Sequence, residues 1–173
     1  WQYPFIHHLG QALAIPVALA VFCFIRELVR SDGLFISHFG WDLGLVHRCF
    51  AHYRRLLWVY FPMMVIQDFA NLYSDIDVSA TLGRLAFVIS NIAISFFLWR
   101  LYHEKIPMTY GEVPERKAHI GHNLFWWVLI IIPQVLNYTA LKGYLTSSQS
   151  VMTKLEVSAV LGVVTLLVYY LIK

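Results

Sequence analysis

Apolar residues follow one another along this chain in five long runs, and most of the charged residues lie in the segments between them. About twenty apolar residues, rising 1.5 Å each in a helix, span a hydrocarbon core of about 30 Å. A segment in lipid must satisfy its own backbone hydrogen bonds, so each run predicts a helix. We expect five transmembrane helices in a single module over residues 1–173, at residues 9–29, 56–74, 81–101, 122–142 and 155–173.

Three of the predicted crossings contain an internal proline, namely Pro16, Pro62 and Pro133. Proline removes one backbone hydrogen bond and its ring crowds the preceding turn, so each is expected to kink its helix. Proline is common in membrane helices, and the kinks alone do not indicate a function.

Composition supports an all-α membrane protein. Of the 173 residues, 59% are hydrophobic and only 13% are charged, whereas about 25% of residues are charged in soluble domains. The basic residues border apolar runs instead of forming a patch with interspersed aromatic rings, which argues against a nucleic-acid partner. Cys23 and Cys49 provide neither a disulfide framework nor a metal-ligand spacing.

The distribution of lysine and arginine predicts the orientation of the chain in its membrane. Ten of the 13 basic residues lie at the 1–2 connection, the 3–4 connection or the carboxyl end. Basic residues concentrate on the cytoplasmic side, so we expect the amino end outside and the carboxyl end in the cytoplasm. Because the chain begins at Trp1 and ends within an apolar run, we also expect it to be a piece of a longer protein.

Residues 42–57 predict an amphipathic helix on the cytoplasmic leaflet between helices 1 and 2. Apolar residues recur there at helical spacing, basic residues occupy most of the other faces, and tryptophans flank the segment. The alternative is that this segment is the cytoplasmic end of the second crossing, packed on other protein. The predicted lipid anchor consists of Trp41, Leu43, Val46, Arg48, Phe50, Tyr53, Arg54, Arg55 and Trp58.

No motif in the sequence indicates catalysis, a metal or another cofactor. The eight histidines lie outside the middle of the predicted helices, where axial ligands of a buried haem would be expected. His119 and His122 are three residues apart, but no second pair and no cysteine completes a tetrahedral site. A nucleophile elbow, a phosphate loop and a zinc helix are all missing from the sequence, so we expect no enzyme activity.

Asp68 is a candidate functional residue because a carboxyl group deep in a membrane is costly unless paired or hydrated. Arg84 lies near the start of the third predicted crossing, so its depth should be comparable. A structural Asp68–Arg84 pair between helices 2 and 3 is the leading interpretation. A substrate or proton site and exposure in the outer leaflet are the alternatives. Ser90, Asn91 and Ser95 are expected to face neighbouring helices.

Two segments resemble a known family. Residues 37–62, SHFGWDLGLVHRCFAHYRRLLWVYFP, and residues 122–150, HNLFWWVLIIIPQVLNYTALKGYLTSSQS, are similar to an inner-membrane domain of large mechanosensitive channels of the MscS superfamily, of the MscK and MscM types. In the second segment the matching positions are Trp127, Pro133, Gly143, Tyr144 and Thr146. Together the segments cover about a third of the chain and occur in the order and separation that the family shows.

The resemblance implies a peripheral membrane module of a homoheptamer whose pore is formed by another part of the same longer chain. The family's pore helix is rich in Gly and Ala, but the last predicted crossing contains only Ala159 and Gly162. The partners expected are therefore the lipid bilayer, identical subunits and that pore-forming region. The resemblance also implies that the module senses bilayer tension for the channel. The alternative is a fragment of a secondary transporter with a polar site around Asp68 and Arg84. Such a fragment should show a pseudo-repeat.

Overall fold

The structure, a computed structural model, describes residues 20, 22–28, 30, 42–72, 76–104 and 115–172. These residues are almost entirely helical and contain no β-strand, so the all-α prediction is confirmed. Residues 22–28 are helical, and most of the first predicted crossing, including Pro16, lies outside the described residues. Four long helices follow: α1 (Leu43–Leu72), α2 (Ile76–His103), α3 (Glu115–Leu141) and α4 (Leu145–Ile172).

Helix α1 begins at a well-defined amino-terminal cap. Asp42 Oδ2 accepts a hydrogen bond from the Leu45 backbone N–H at 2.8 Å, and the Asp42 carbonyl accepts one from the Val46 N–H at 3.0 Å. The aspartate thus satisfies donors that a helix start leaves unpaired, and its charge opposes the positive end of the helix dipole.

Helix α1 is one continuous helix of 30 residues, where the sequence predicted a surface helix over 42–57 that turns into a crossing over 56–74. Residues 45–61 contain neither Gly nor Pro, so nothing in that stretch interrupts the backbone hydrogen bonds. The helix also continues through Pro62, which lies inside it. The surface helix over 42–57 and its alternative, in which this segment is the end of the crossing, both stay predictions.

Helices α3 and α4 form a helical hairpin. The N–H of Tyr144 bonds to the Thr139 carbonyl and the N–H of Gly143 to the Ala140 carbonyl, both at 3.1 Å. This is the Schellman pattern, which needs a left-handed residue after the helix. Gly143 supplies it with φ of 105°. Only three residues separate the helices.

The chain divides into two compact units. The first comprises residues 1–58 and 100–110, and the second comprises residues 59–99 and 111–173. In the second unit, a small apolar core forms around Phe87, Ala140 and Met152. Small side chains permit close approach there: a Cβ on Gly83 would lie 3.7 Å from the Ala70 Cβ. Small residues at helix contacts are typical of membrane bundles.

Among the described residues, two helical segments are long and apolar enough to cross a membrane, Ala80–His103 and Gly121–Leu141. Only 33% and 22% of their apolar windows are buried inside the protein. A core helix of a soluble protein would be mostly buried, so these two segments fit a lipid environment better. The count of five crossings stays a prediction.

Candidate functional site: polar contacts among apolar helices

The helices of the second unit carry large apolar side chains on their outer surface. Leu85 is 63% exposed, Phe125 50% and Val135 54%, whereas Asn91 is 1% exposed and Asn137 6%. Soluble domains usually bury their apolar side chains and expose polar ones. The reverse distribution indicates helices solvated by lipid that direct polar groups toward each other.

A ladder of neutral polar side chains joins α2 to α3. Asn91 Nδ2 donates to Asn137 Oδ1 at 2.9 Å, and Asn137 Nδ2 donates to the Val88 carbonyl at 3.5 Å. One turn further along, Gln134 Nε2 donates to Ser95 Oγ at 2.8 Å. The expectation that Asn91 and Ser95 face a neighbouring helix is confirmed, and the partners lie on α3.

The ladder reaches the backbone beside the proline of α3. Ser95 Oγ donates to the Ile130 carbonyl at 3.0 Å, and Pro133 lies buried three residues further along. Proline weakens the hydrogen bonding of the turn before it, and hydroxyl groups on neighbouring helices commonly satisfy the carbonyls near such a site. Pro62 lies inside α1 and Pro133 lies inside α3. The helix kinks expected at these prolines stay predictions.

A further polar contact closes the α3–α4 hairpin. The hydroxyls of Thr139 and Ser148 lie 2.7 Å apart, and Ser148 Oγ also bonds to the Tyr144 carbonyl at 2.8 Å. Ser148 is 2% exposed. Its hydroxyl therefore satisfies the start of α4 while holding that start against α3.

Glu156 of α4 accepts hydrogen bonds from α1. Tyr60 Oη lies 2.9 Å and 3.1 Å from the two carboxylate oxygens of Glu156. The two residues border a partly open cavity of about 50 Å³ that is lined by residues of α1, α2 and α4. Asn91 also lines this cavity, so the cavity and the ladder share a residue.

Asp68 and Arg84 form no ion pair of 4.0 Å or less within the described residues, and Arg84 Nε is buried with no hydrogen-bond partner. Depth is not the reason, because a Cβ on Gly83 would lie 3.7 Å from the Ala70 Cβ, which places Arg84 and Asp68 at nearly the same level of the helix pair.

An ionic contact joins two segments of the first unit. Arg48 Nε lies 2.8 Å from Glu104 Oε2, and His52 Nε2 lies 3.2 Å from Glu104 Oε1. The hydrogen bond from Arg48, followed by that from His52, lowers the pKa of the Glu104 carboxyl group. Reciprocally, the hydrogen bond to Glu104 raises the pKa of Arg48.

The residues of the predicted lipid anchor have different surroundings. Val46 is 3% exposed, and the rings of Phe50 and Tyr53 stack on Phe22 at centroid distances of 6.0 and 6.3 Å. The centre of the apolar stripe therefore packs on protein. Trp41 lies outside the described residues. The exposed members of the anchor are Leu43, Arg48, Arg54, Arg55 and Trp58.

The described part of the chain holds no group of three or more His, Cys, Asp or Glu residues placed to bind a metal ion. Glu156 was not among the residues predicted from the sequence, although its position carries a signal. An acidic residue at position 156 lies just inside the predicted crossing 155–173, and the rule that singled out Asp68 applies equally to it. Its partner Tyr60, 96 positions away, could not be identified from one sequence.

Comparison with known proteins agrees with this arrangement. A family model described as "Mechanosensitive ion channel inner membrane domain 1" matches residues 1–173. The miniconductance mechanosensitive channel MscM of Escherichia coli (strain K12) is 30% identical over 175 residues, which cover 100% of this chain and 16% of that protein. No solved structure matches the chain. Because the family model matches the whole chain, the chain belongs to the family of mechanosensitive ion channel inner membrane domains.

Proposed function

We propose that this domain is a peripheral, non-pore part of a mechanosensitive channel subunit, through which bilayer tension acts on the pore. The observation that carries the proposal is the inverted burial of the second unit. Its surface is apolar along α2, α3 and α4, and its interior holds buried polar contacts beside a small apolar core. A domain built in this way presents most of its surface to lipid, as a tension sensor requires.

Tension favours whichever conformation occupies more membrane area, and it can shift an equilibrium only if the lipid contact differs between the two states. Helices whose side chains face lipid provide such a difference when they move. The last helix is a poor pore helix because Ala159 and Gly162 are its only Ala and Gly residues. The chain matches 16% of its relative's length, which leaves ample sequence for a separate pore.

The proposed setting is a bacterial inner membrane crossed five times, with the amino end in the periplasm. By family resemblance the proposed partners are identical subunits, forming a homoheptamer, and the pore-forming region of the same longer chain. The cluster of basic residues at the 1–2 and 3–4 connections supports this orientation.

Cysteine labelling tests the orientation. Cys23 and Cys49 are first replaced by serine, and single cysteines are placed at Ser147, which is exposed at the start of α4, or at Glu112 in the 3–4 connection. An impermeant thiol reagent added to intact cells should label the cysteine at position 147 and leave that at 112 unlabelled. The opposite labelling would overturn the proposed orientation.

Patch-clamp recording of the full-length channel tests the sensing role. Arg54 and Arg55 are exposed on α1, and each basic residue near an anionic leaflet contributes about 1 kcal/mol of attraction. Replacing both with Gln should change the tension threshold while unitary conductance stays constant. Lys154→Gln, on the opposite predicted side, is the matched control. An unchanged threshold would contradict the sensing role, and a changed conductance would place α1 near the permeation path.

A further inference from the structure

The Glu156 carboxylate has little electrostatic compensation. Its hydrogen bonds come from the neutral hydroxyl of Tyr60. No Lys, Arg or His among the described residues lies within 4.0 Å of its oxygens. An ionised carboxylate between apolar helices is costly unless a positive charge or further hydrogen bonds offset the loss of water.

The cavity beside Glu156 offers several oxygen atoms and one unsatisfied group. Seven of its nine lining residues are polar. Ser90 is among them, is only 4% exposed, and its Oγ is buried with no hydrogen-bond partner. The polar side chains reach the cavity from α1, α2 and α4, so a bound molecule there would contact all three helices.

We propose that this cavity binds a small monovalent cation, Na⁺ or K⁺, with water completing its coordination. The lining provides one carboxylate, and no Lys, Arg or His is present to compete for it. The remaining ligands are neutral oxygens, such as those of Tyr60, Ser90 and Thr153. Protein sites for Ca²⁺ use several carboxylates, so a single negative charge suits a monovalent ion better.

The size of the cavity agrees with this occupant. One water molecule needs about 10 to 15 Å³ of such volume, and the cavity has about 50 Å³. This space accommodates an ion with one or two waters. The ion would neutralise Glu156 and provide Ser90 Oγ with a partner.

Binding of this kind stabilises the folded protein in a saturable manner, because the ion binds the native state alone. The full-length protein is purified in detergent with choline as the only cation. Its thermal unfolding is followed by tryptophan fluorescence while NaCl or KCl replaces choline chloride at constant ionic strength and neutral pH. The midpoint should rise with the concentration of Na⁺ or K⁺ and then reach a plateau.

Glu156→Gln should abolish the rise, whereas Glu27→Gln should retain it, because Glu27 is an exposed carboxylate that pairs with Arg30. If Glu156→Gln does not fold, Ser90→Ala provides the test. Loss of one ligand worth about 1 kcal/mol should raise the half-saturating concentration about 5-fold. A wild-type midpoint that is equal in choline, Na⁺ and K⁺ would overturn the proposal and leave a cavity that holds water only.

A midpoint that rises without reaching a plateau would also overturn the proposed cation site, and so would an equal rise of the midpoint in Glu156→Gln. Both results indicate a general salt effect. The readout involves no gating, so a failure here leaves the proposed sensing role intact. Conversely, an unchanged tension threshold in the arginine variants would leave the cation site intact.

Discussion

Two polar contacts each join separate segments of the chain, but with different chemistry. One lies between α2 and α3 in the second unit, and the other is the Arg48–Glu104 contact of the first unit. Between α2 and α3 the bonded groups are amides, a hydroxyl and backbone carbonyls, and both asparagines are more than nine-tenths buried. In the first unit an arginine and a glutamate form an ion pair in which the arginine side chain is 57% exposed.

The environment explains the difference. Desolvating a carboxylate and a guanidinium is costly, whereas neutral amides can exchange hydrogen bonds with each other at little cost. Where water reaches the side chains, the charges remain hydrated and their pairing contributes only modestly. Where the side chains are buried between apolar helices, most of the polar contacts are neutral; Glu156 and Arg84 are exceptions among the described residues.

The largest expected loss of stability comes from placing a charge in the polar ladder between α2 and α3. Asn137→Asp removes the donor to the Val88 and Gln134 oxygens and buries a carboxylate beside Asn91. We expect a loss of about 2 to 4 kcal/mol in the free energy of unfolding. Titration with SDS in mixed micelles measures this loss. Ser147→Asp, at the exposed start of α4, should be nearly neutral, and equal losses would contradict the distinction.

Removing the amides without adding charge should have a smaller effect. Asn91→Leu leaves Asn137 with an unpaired oxygen, and the loss should be about 1 to 2 kcal/mol. The double variant with Asn137→Leu should lose less than the sum of the single variants, because neither amide is left unpaired. Thr165→Val, whose hydroxyl bonds within α4, is the control. Additive losses in the same SDS assay would count against the ladder as a coupled unit.

The ion pair of the first unit should contribute less than the ladder. Arg48→Gln removes the guanidinium that faces Glu104, and we expect a smaller loss than for Asn91→Leu. The loss should shrink as salt rises from about 0.1 M to about 1 M, since the Debye length falls from about 10 Å to about 3 Å. Arg55→Gln, at another exposed position, is the matched variant. A loss that does not depend on salt would mean that the contact is effectively buried.

The smallest expected effect is a dependence on pH. Because the pKa of Glu104 is lowered in the folded state from its ordinary value of 4.5, its contribution is fully present above pH 4.5. That contribution is lost as the pH falls through the folded-state pKa. The stability difference between the wild type and Glu104→Gln should therefore be constant near neutrality and vanish in acid. A difference that persists in acid would show that ionisation of Glu104 is not its source.

The runs of apolar residues predicted the positions of the helices better than their ends. The windows at 81–101 and 122–142 fall within or next to α2 (Ile76–His103) and α3 (Glu115–Leu141), but both helices extend into more polar residues that a scan for apolar runs excludes. Hydrogen-bonded helices do not need apolar side chains once they leave the hydrocarbon core.

Partner identity was the part that one sequence could not supply. Asn91 was recognisable as a residue that faces a helix, because an amide inside an apolar run needs a partner. That its partner is Asn137 depends on the rotation and register of α2 against α3, which packing determines. The same holds for Tyr60 and Glu156, which are 96 residues apart.

Helix α1 is longer than the hydrocarbon core of a bilayer is thick, which makes its fit sensitive to bilayer thickness. Thirty residues rise about 45 Å, about 15 Å more than the hydrocarbon core of a typical bilayer. A helix of this length that crosses the membrane must either extend into the headgroups or tilt. The excess lies before residue 56, where the predicted crossing begins, in a stretch that contains His47, Arg48 and His52. In the proposed topology, in which α1 crosses the membrane, a bilayer thinned by stretching covers less of α1 with hydrocarbon. We therefore expect shorter acyl chains to mimic part of the effect of stretch on this domain.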